Sequence, residues 1–172
     1  SGAALAGASD DGKLDASAQW LDIDSSYFSA EATFYEEYTN TSGFDQFFSF
    51  EFDLTGVTLG VADARQLDGA TVSANYSVEV LLDGVSLWHS EATLTSPGVG
   101  DSIDTLTQGG EVLSTDSTGP DYAFDDYSGV LDLGLVGNGD GFELSYVIST
   151  SAGGSNGLDL GSYATVGGFS GS

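Results

Sequence analysis

The stretch Thr71 to Leu94 limits the fold most. Tyr76, Val78, Val80 and Leu82 alternate with Ser77, Glu79 and Leu81, then Asp83-Gly84 interrupts and Val85 and Leu87 resume the alternation. A period of two is that of a strand with one buried face. Asp-Gly between two such runs suits a type I′ turn, whose central residues both need positive φ. The spacing therefore predicts a β-hairpin. An isolated hairpin is marginal in water, so the rest of the chain must supply ribbons to cover it.

Further runs supply them. Leu14, Ala16, Ala18 and Trp20 share one face and predict a first strand. Residues 27–38 fit a strand or a helix, and their aromatic content with the Asn and Gly that follow favours a strand. Phe44, Gln46, Phe48, Phe50, Phe52 and Leu54 mark the most aromatic strand, and a short one is expected over 57–62. A polar connection at 63–70 leads into the hairpin. Residues 95–110, with Pro97, are expected as a long loop, 111–115 as a short strand, and 116–126, with Pro120, as a second loop. The runs at 130–135 and 142–148 flank Gly137-Asn-Gly-Asp-Gly141 and are expected to form a second hairpin, and a last strand is expected over 158–166. About ten short strands without a helix predict an all-β, antiparallel two-sheet sandwich of jelly-roll kind. The expected organisation is a flexible or assembly arm at 1–12, one domain over 13–166 and a Gly/Ser tail at 167–172.

Charge narrows the function. Against 27 Asp plus Glu stand only Lys13 and Arg65, a formal charge of −25. Phosphate binding needs clustered cations, so nucleic acid is excluded as a partner. Nineteen Asp against eight Glu places the charge in turns and on solvent faces. High salt, extracellular solubility and calcium each account for such acidity. No Cys or Met is present, which removes disulfides and thiolate metal sites. No stretch has the length and apolarity of a membrane-spanning helix.

The candidate chemistry is sparse. Gly153-Gly-Ser-Asn-Gly157 matches the serine-hydrolase pattern, but strand character follows it and the single histidine, His89, precedes it, so no triad is expected. Carboxylate pairs are too common here to mark a glycosidase. The expectation is a protein without enzymatic activity. For calcium, a hard cation with oxygen ligands, the loop with Asp121, Asp125 and Asp126 is the preferred candidate. Asn40 and Asn75 sit in glycosylation sequons. Trp88, opposite in phase to Val85 and Leu87, is expected on an open side, and with Tyr122 and Tyr127 it makes a candidate contact surface for glycans or a neighbouring subunit.

Residues Tyr122 to Ala152 contain Asp-Leu-Gly at 132–134, a Gly-rich turn, and Phe142-Glu-Leu-Ser-Tyr146 leading to Ser and Thr. This strand-turn-strand resembles secreted bacterial proteins of the PEP-CTERM, exosortase-sorted kind, over those residues alone. The family's Pro-Glu-Pro motif, membrane segment and basic tail are not in the sequence. The resemblance implies an exported surface or biofilm-matrix protein and carries over no catalytic residues.

A Gly/Ala-rich arm costs entropy to order and needs something to pack on. A neighbouring copy supplies it. The leading expectation is thus an extracellular, self-assembling filament or matrix subunit in which a terminal arm, with Leu5 and Leu14, adds as a strand to the next subunit's sheet. The alternative is a monomeric carbohydrate-binding or adhesive module.

Overall fold

A computed structural model of the chain describes residues 2–21, 26–61, 71–96, 104–118, 121–155 and 161–172. The 63–70 connection, both prolines and the expected start of the last strand at 158 lie outside these residues. The described residues form thirteen strands: β1 (Gly2–Ala8), β2 (Leu14–Leu21), β3 (Ser26–Thr39), β4 (Gln46–Thr55), β5 (Thr58–Val61), β6 (Thr71–Leu82), β7 (Val85–Ser96), β8 (Thr105–Gly110), β9 (Thr115–Thr118), β10 (Asp121–Phe124), β11 (Tyr127–Val136), β12 (Gly141–Ser155) and β13 (Gly161–Gly171).

They make two antiparallel sheets. One runs β1-β2-β13-β5-β10-β9, with β4 joined to β13 and β11 to β4; the other runs β3-β12-β6-β7-β8. Because β13 pairs first with β5 and then with β4, those two behave as one line broken at Gly56-Val57. β10 and β11 likewise form one line against them. Taken so, the order β2, β13, β4/β5, β10/β11 faces the order β3, β12, β6, β7, which is a jelly roll. β1, β8 and β9 are additions at its edges.

The alternating faces meet between the sheets. Leu14, Ala16, Ala18 and Trp20 of β2 and Val72, Ala74, Tyr76, Val78 and Val80 of β6 are all buried there, with Phe50, Phe52 and Leu54 of β4. The Asp83-Gly84 turn has φ of 50° and 74°, as a type I′ turn requires. The stretch 27–38 is a strand, as its aromatics suggested.

Four expectations are corrected. β11 and β12 are not a hairpin: β11 pairs with β4 in one sheet, and β12 with β3 and β6 in the other. The Gly-rich turn is a corner between sheets, since two alternating runs joined by glycines fit either arrangement. Residues 105–110 are β8, paired with β7, rather than loop. Residues 115–118 and 121–124 pair as β9 and β10, whereas 111–114 are not strand. The 167–172 tail continues β13 along β4, with Phe169 fully buried. A register shift between Val166 and Phe169 admits Gly167-Gly168. Strands built of Gly, Ser and Thr carry no apolar alternation to find them by.

Candidate assembly site

β1 is an edge strand added outside the jelly roll. It pairs with β2 from Gly2↔Trp20 to Ala8↔Leu14, and its opposite edge has no partner among the described residues. Apart from Leu5 it consists of Gly and Ala, and it carries no charge. Leu5 is 69% exposed and only Ala4 packs on the core. Backbone hydrogen bonds, rather than buried apolar area, hold the strand in place. A close fit accompanies them: a Cβ at Gly2 would run into the Phe28 ring.

The turn from β1 to β2 is locally closed. The Ser9 hydroxyl donates to the Asp11 carboxylate, and the Lys13 amide donates to Ser9 Oγ at 3.2 Å. The Ser9 bond holds the Asp11 carboxyl below its ordinary range. Gly12 takes φ of 77°, and its carbonyl accepts from the Tyr146 hydroxyl inside the sandwich. Desolvation, with lesser contributions from Glu36 and Asp11, raises the Tyr146 hydroxyl to about 12. Tyr146 therefore stays a proton donor to Gly12 through the neutral range.

Beside this turn a groove opens between the sheets. It is lined by Glu36, Tyr38, Phe48, Phe142 and Leu144, and a second hollow lined by Asp10, Asp11, Glu36 and Tyr146 adjoins it. The Tyr38, Phe48 and Phe142 rings meet at 4.7 to 5.6 Å. Sequence reading missed this feature because the Phe-rich run reads as a core strand throughout. The adjacent Phe47-Phe48 pair, which puts an aromatic on each face, was the available signal.

The expected site residues are dispersed. Leu5 lies on β1, but Leu14 is a correction: it is fully buried as the first inward residue of β2, not part of an exposed arm. Trp88 is also a correction. A bulge changes the register between Val80 and Leu81, so that Val80 pairs with Trp88 while Leu81 pairs with Ser86. The extra residue, Leu87, reverses the alternation: Val85 and Leu87 face out and Trp88 turns in. Trp88 packs on Phe52 at 4.8 Å and stacks on Tyr127 at 5.5 Å. Tyr122 packs half-buried on the core from β10.

Asp121 accepts a hydrogen bond from the Tyr163 hydroxyl, which burial first and this carboxylate second push up. Asp126 accepts from the Gly56 amide at 3.1 Å, while the Asp125 amide donates to the Ser114 carbonyl. No set of three His, Cys, Asp or Glu side chains placed to hold a metal occurs among the described residues. Asn40, expected as a glycan acceptor, is corrected. It is fully buried, and its amide donates to the Phe44 and Val136 carbonyls, both at 2.9 Å. Asn75 is half-exposed on the outer face of β6, between Ser151 and Thr93.

The jelly-roll sandwich with a supernumerary edge strand is the class of protein these features define. Neither a protein-family model nor a curated protein matches the chain. No helix among the described residues is long and apolar enough to cross a membrane.

Proposed function

We propose that this chain is an extracellular structural subunit that assembles into filaments or matrix by donating β1 to the sheet of a neighbouring copy. The observation that carries the reading is that β1 is surplus to the jelly roll. Its removal leaves all eight principal strand lines in place, and it gives up little apolar burial. A neutral, Gly/Ala-built strand is well suited to cross between two strongly acidic molecules. Contacts made from one surface of a subunit to a different surface of the next propagate without closing.

The setting outside the cell rests on the acidity, the lack of Cys and Met, and the resemblance of 122–152 to exosortase-sorted proteins. Self is the principal partner in this reading, and calcium and glycans are secondary ones. The rival, a monomeric glycan-binding module, loses its stacking tryptophan because Trp88 lies in the core.

Electron microscopy and sedimentation of the full chain test the proposal. Long polymers are expected, and deletion of residues 2–8 should leave a folded monomer that no longer assembles. A monodisperse monomer under all salt conditions would refute it.

A further inference from the structure

We propose that a trough along β2, on the outer face of the larger sheet, binds a neutral saccharide; this goes beyond the assembly reading and does not rest on it. Two rows of side chains cross that face in register: Ala3, Gln19, Tyr163, Gly60 and Asp121 form one, and Leu5, Ser17, Thr165 and Thr58 the next. Their chain neighbours Ala18, Leu59 and Ala164 are buried inward, so both rows face out. The Tyr163 ring leans away from β2 and across β5. Gly60 makes room for it, since a Cβ there would run into the ring, and Asp121 on β10 accepts a hydrogen bond from its hydroxyl. A glycine inside a strand weakens pairing and often marks a close approach. Here it seats an aromatic ring that is tied at its tip.

With the ring turned toward β5, β2 lies uncovered. Ser17 and Gln19 floor a hollow of about 370 Å³, walled by Leu5 on the β1 side and by Tyr163 and Thr165 on the β13 side. The walls stand two strand spacings apart, about 9.5 Å. The side chains of Ser17, Gln19 and Thr165 make no hydrogen bond among the described residues. Chemistry then selects the ligand. No charged side chain lines the trough. An anion finds no cation there and meets a chain of formal charge −25. A cation finds no carboxylate on the floor: Asp15, next on this face of β2, leans over Gly7, and Asp121 is engaged by Tyr163. A wholly apolar ligand would cover the amide and hydroxyls without pairing them. A hexopyranose meets every demand, because its hydroxyls both donate and accept while its C–H face packs on a ring or on Leu5.

Saturation-transfer NMR of the full chain tests the site, because it reads the sugar protons whether the protein is monomer or polymer. The probes are neutral glucose and mannose hexasaccharides, with a hexauronate as the acidic control. Transfer to at least one neutral probe and none to the uronate is expected. Tyr163→Ala should weaken binding at least tenfold, and Tyr163→Phe, which keeps the ring, should largely retain it. Ser17→Glu places a carboxylate on the floor at an outward position and should abolish binding while circular dichroism stays native. Transfer to no neutral probe, transfer to the uronate alone, or binding unchanged in both Tyr163→Ala and Ser17→Glu overturns the site. Sedimentation of the same samples keeps the two readings apart. A chain that binds sugar and never polymerises upholds the site and overturns assembly, whereas a Ser17→Glu chain that loses its polymers but not its sugar makes this face a subunit contact and overturns the site.

Discussion

Asn40 fixes the place where the chain changes sheets. Its amide holds the Phe44 and Val136 carbonyls, its Oδ1 accepts from the Ser42 amide and hydroxyl at 3.1 and 2.7 Å, and its backbone pairs with Asp140 and Gly139. Both corners that lead out of β3 and β11 thus depend on one side chain. Replacement by Ala strands the buried Val136 carbonyl, worth about 1–3 kcal/mol, while the Ser42 hydroxyl still serves the Phe44 carbonyl. Asn40→Ala should lower the urea midpoint markedly, and mass spectrometry of protein from a glycosylating host should find Asn40 unmodified. The sequon was legible and its burial was not, because a side chain that caps two distant carbonyls leaves no local signature. Tyr146 makes a second prediction at this scale. Its folded pKa is raised to about 12 while the unfolded value is near 10, so the unfolded state loses its proton first as pH rises. Its stabilising share is complete below pH 10 and is lost between about 10 and 12. Burial raises Tyr76 as well and adds to the same trend. Thermal melts should fall across that window, and the Tyr146→Phe variant should show a shallower fall.

Among the elements, the β6–β7 hairpin shows how far alternation reads and where it stops. The strands and the I′ turn follow from period and from Asp83-Gly84, but the side on which Trp88 falls depends on a bulge three residues beyond the turn. A bulge adds one residue, and one residue exchanges the faces of everything after it until another shift occurs. The same limit explains β13, where Gly167-Gly168 conceals the continuation to the buried Phe169, and β8, whose Thr-Leu-Thr-Gln-Gly-Gly lacks a binary pattern. Fold class was therefore legible from residue periods, whereas strand partners and the aromatic groove between the sheets depend on long-range pairing. Trp88 supplies the check. Packed on Phe52 and Tyr127, it should cost about 3–5 kcal/mol when cut to Ala. Its indole N–H is buried with no acceptor among the described residues, so Trp88→Phe should cost far less, since it removes an unsatisfied donor while keeping a ring. Chemical denaturation of both variants decides this. A Trp88→Ala chain of unchanged stability would return Trp88 to the surface.

At the scale of the whole molecule, the proposed assembly would set two like charges against each other. Each chain carries a formal −25, and Lys13 is the one Lys or Arg among the described residues. Exposed charges repel over about 10 Å in 0.1 M salt but only about 3 Å at 1 M. If two such chains associate through neutral β1, their approach should therefore be slow in dilute buffer and faster in brine. Light scattering of the full chain should show the lag shortening steeply between 0.1 and 1 M NaCl, with the thermal midpoint rising over the same range as repulsion within each subunit is screened. The matched series in CaCl2 at equal ionic strength separates screening from coordination. Screening alone makes the two series coincide. A calcium effect beyond ionic strength that disappears when Asp121, Asp125 and Asp126 are changed together to Asn would assign the cation to that junction. A lag independent of NaCl would mean that electrostatic repulsion does not control the approach of subunits, and the neutrality of β1 would then need another explanation.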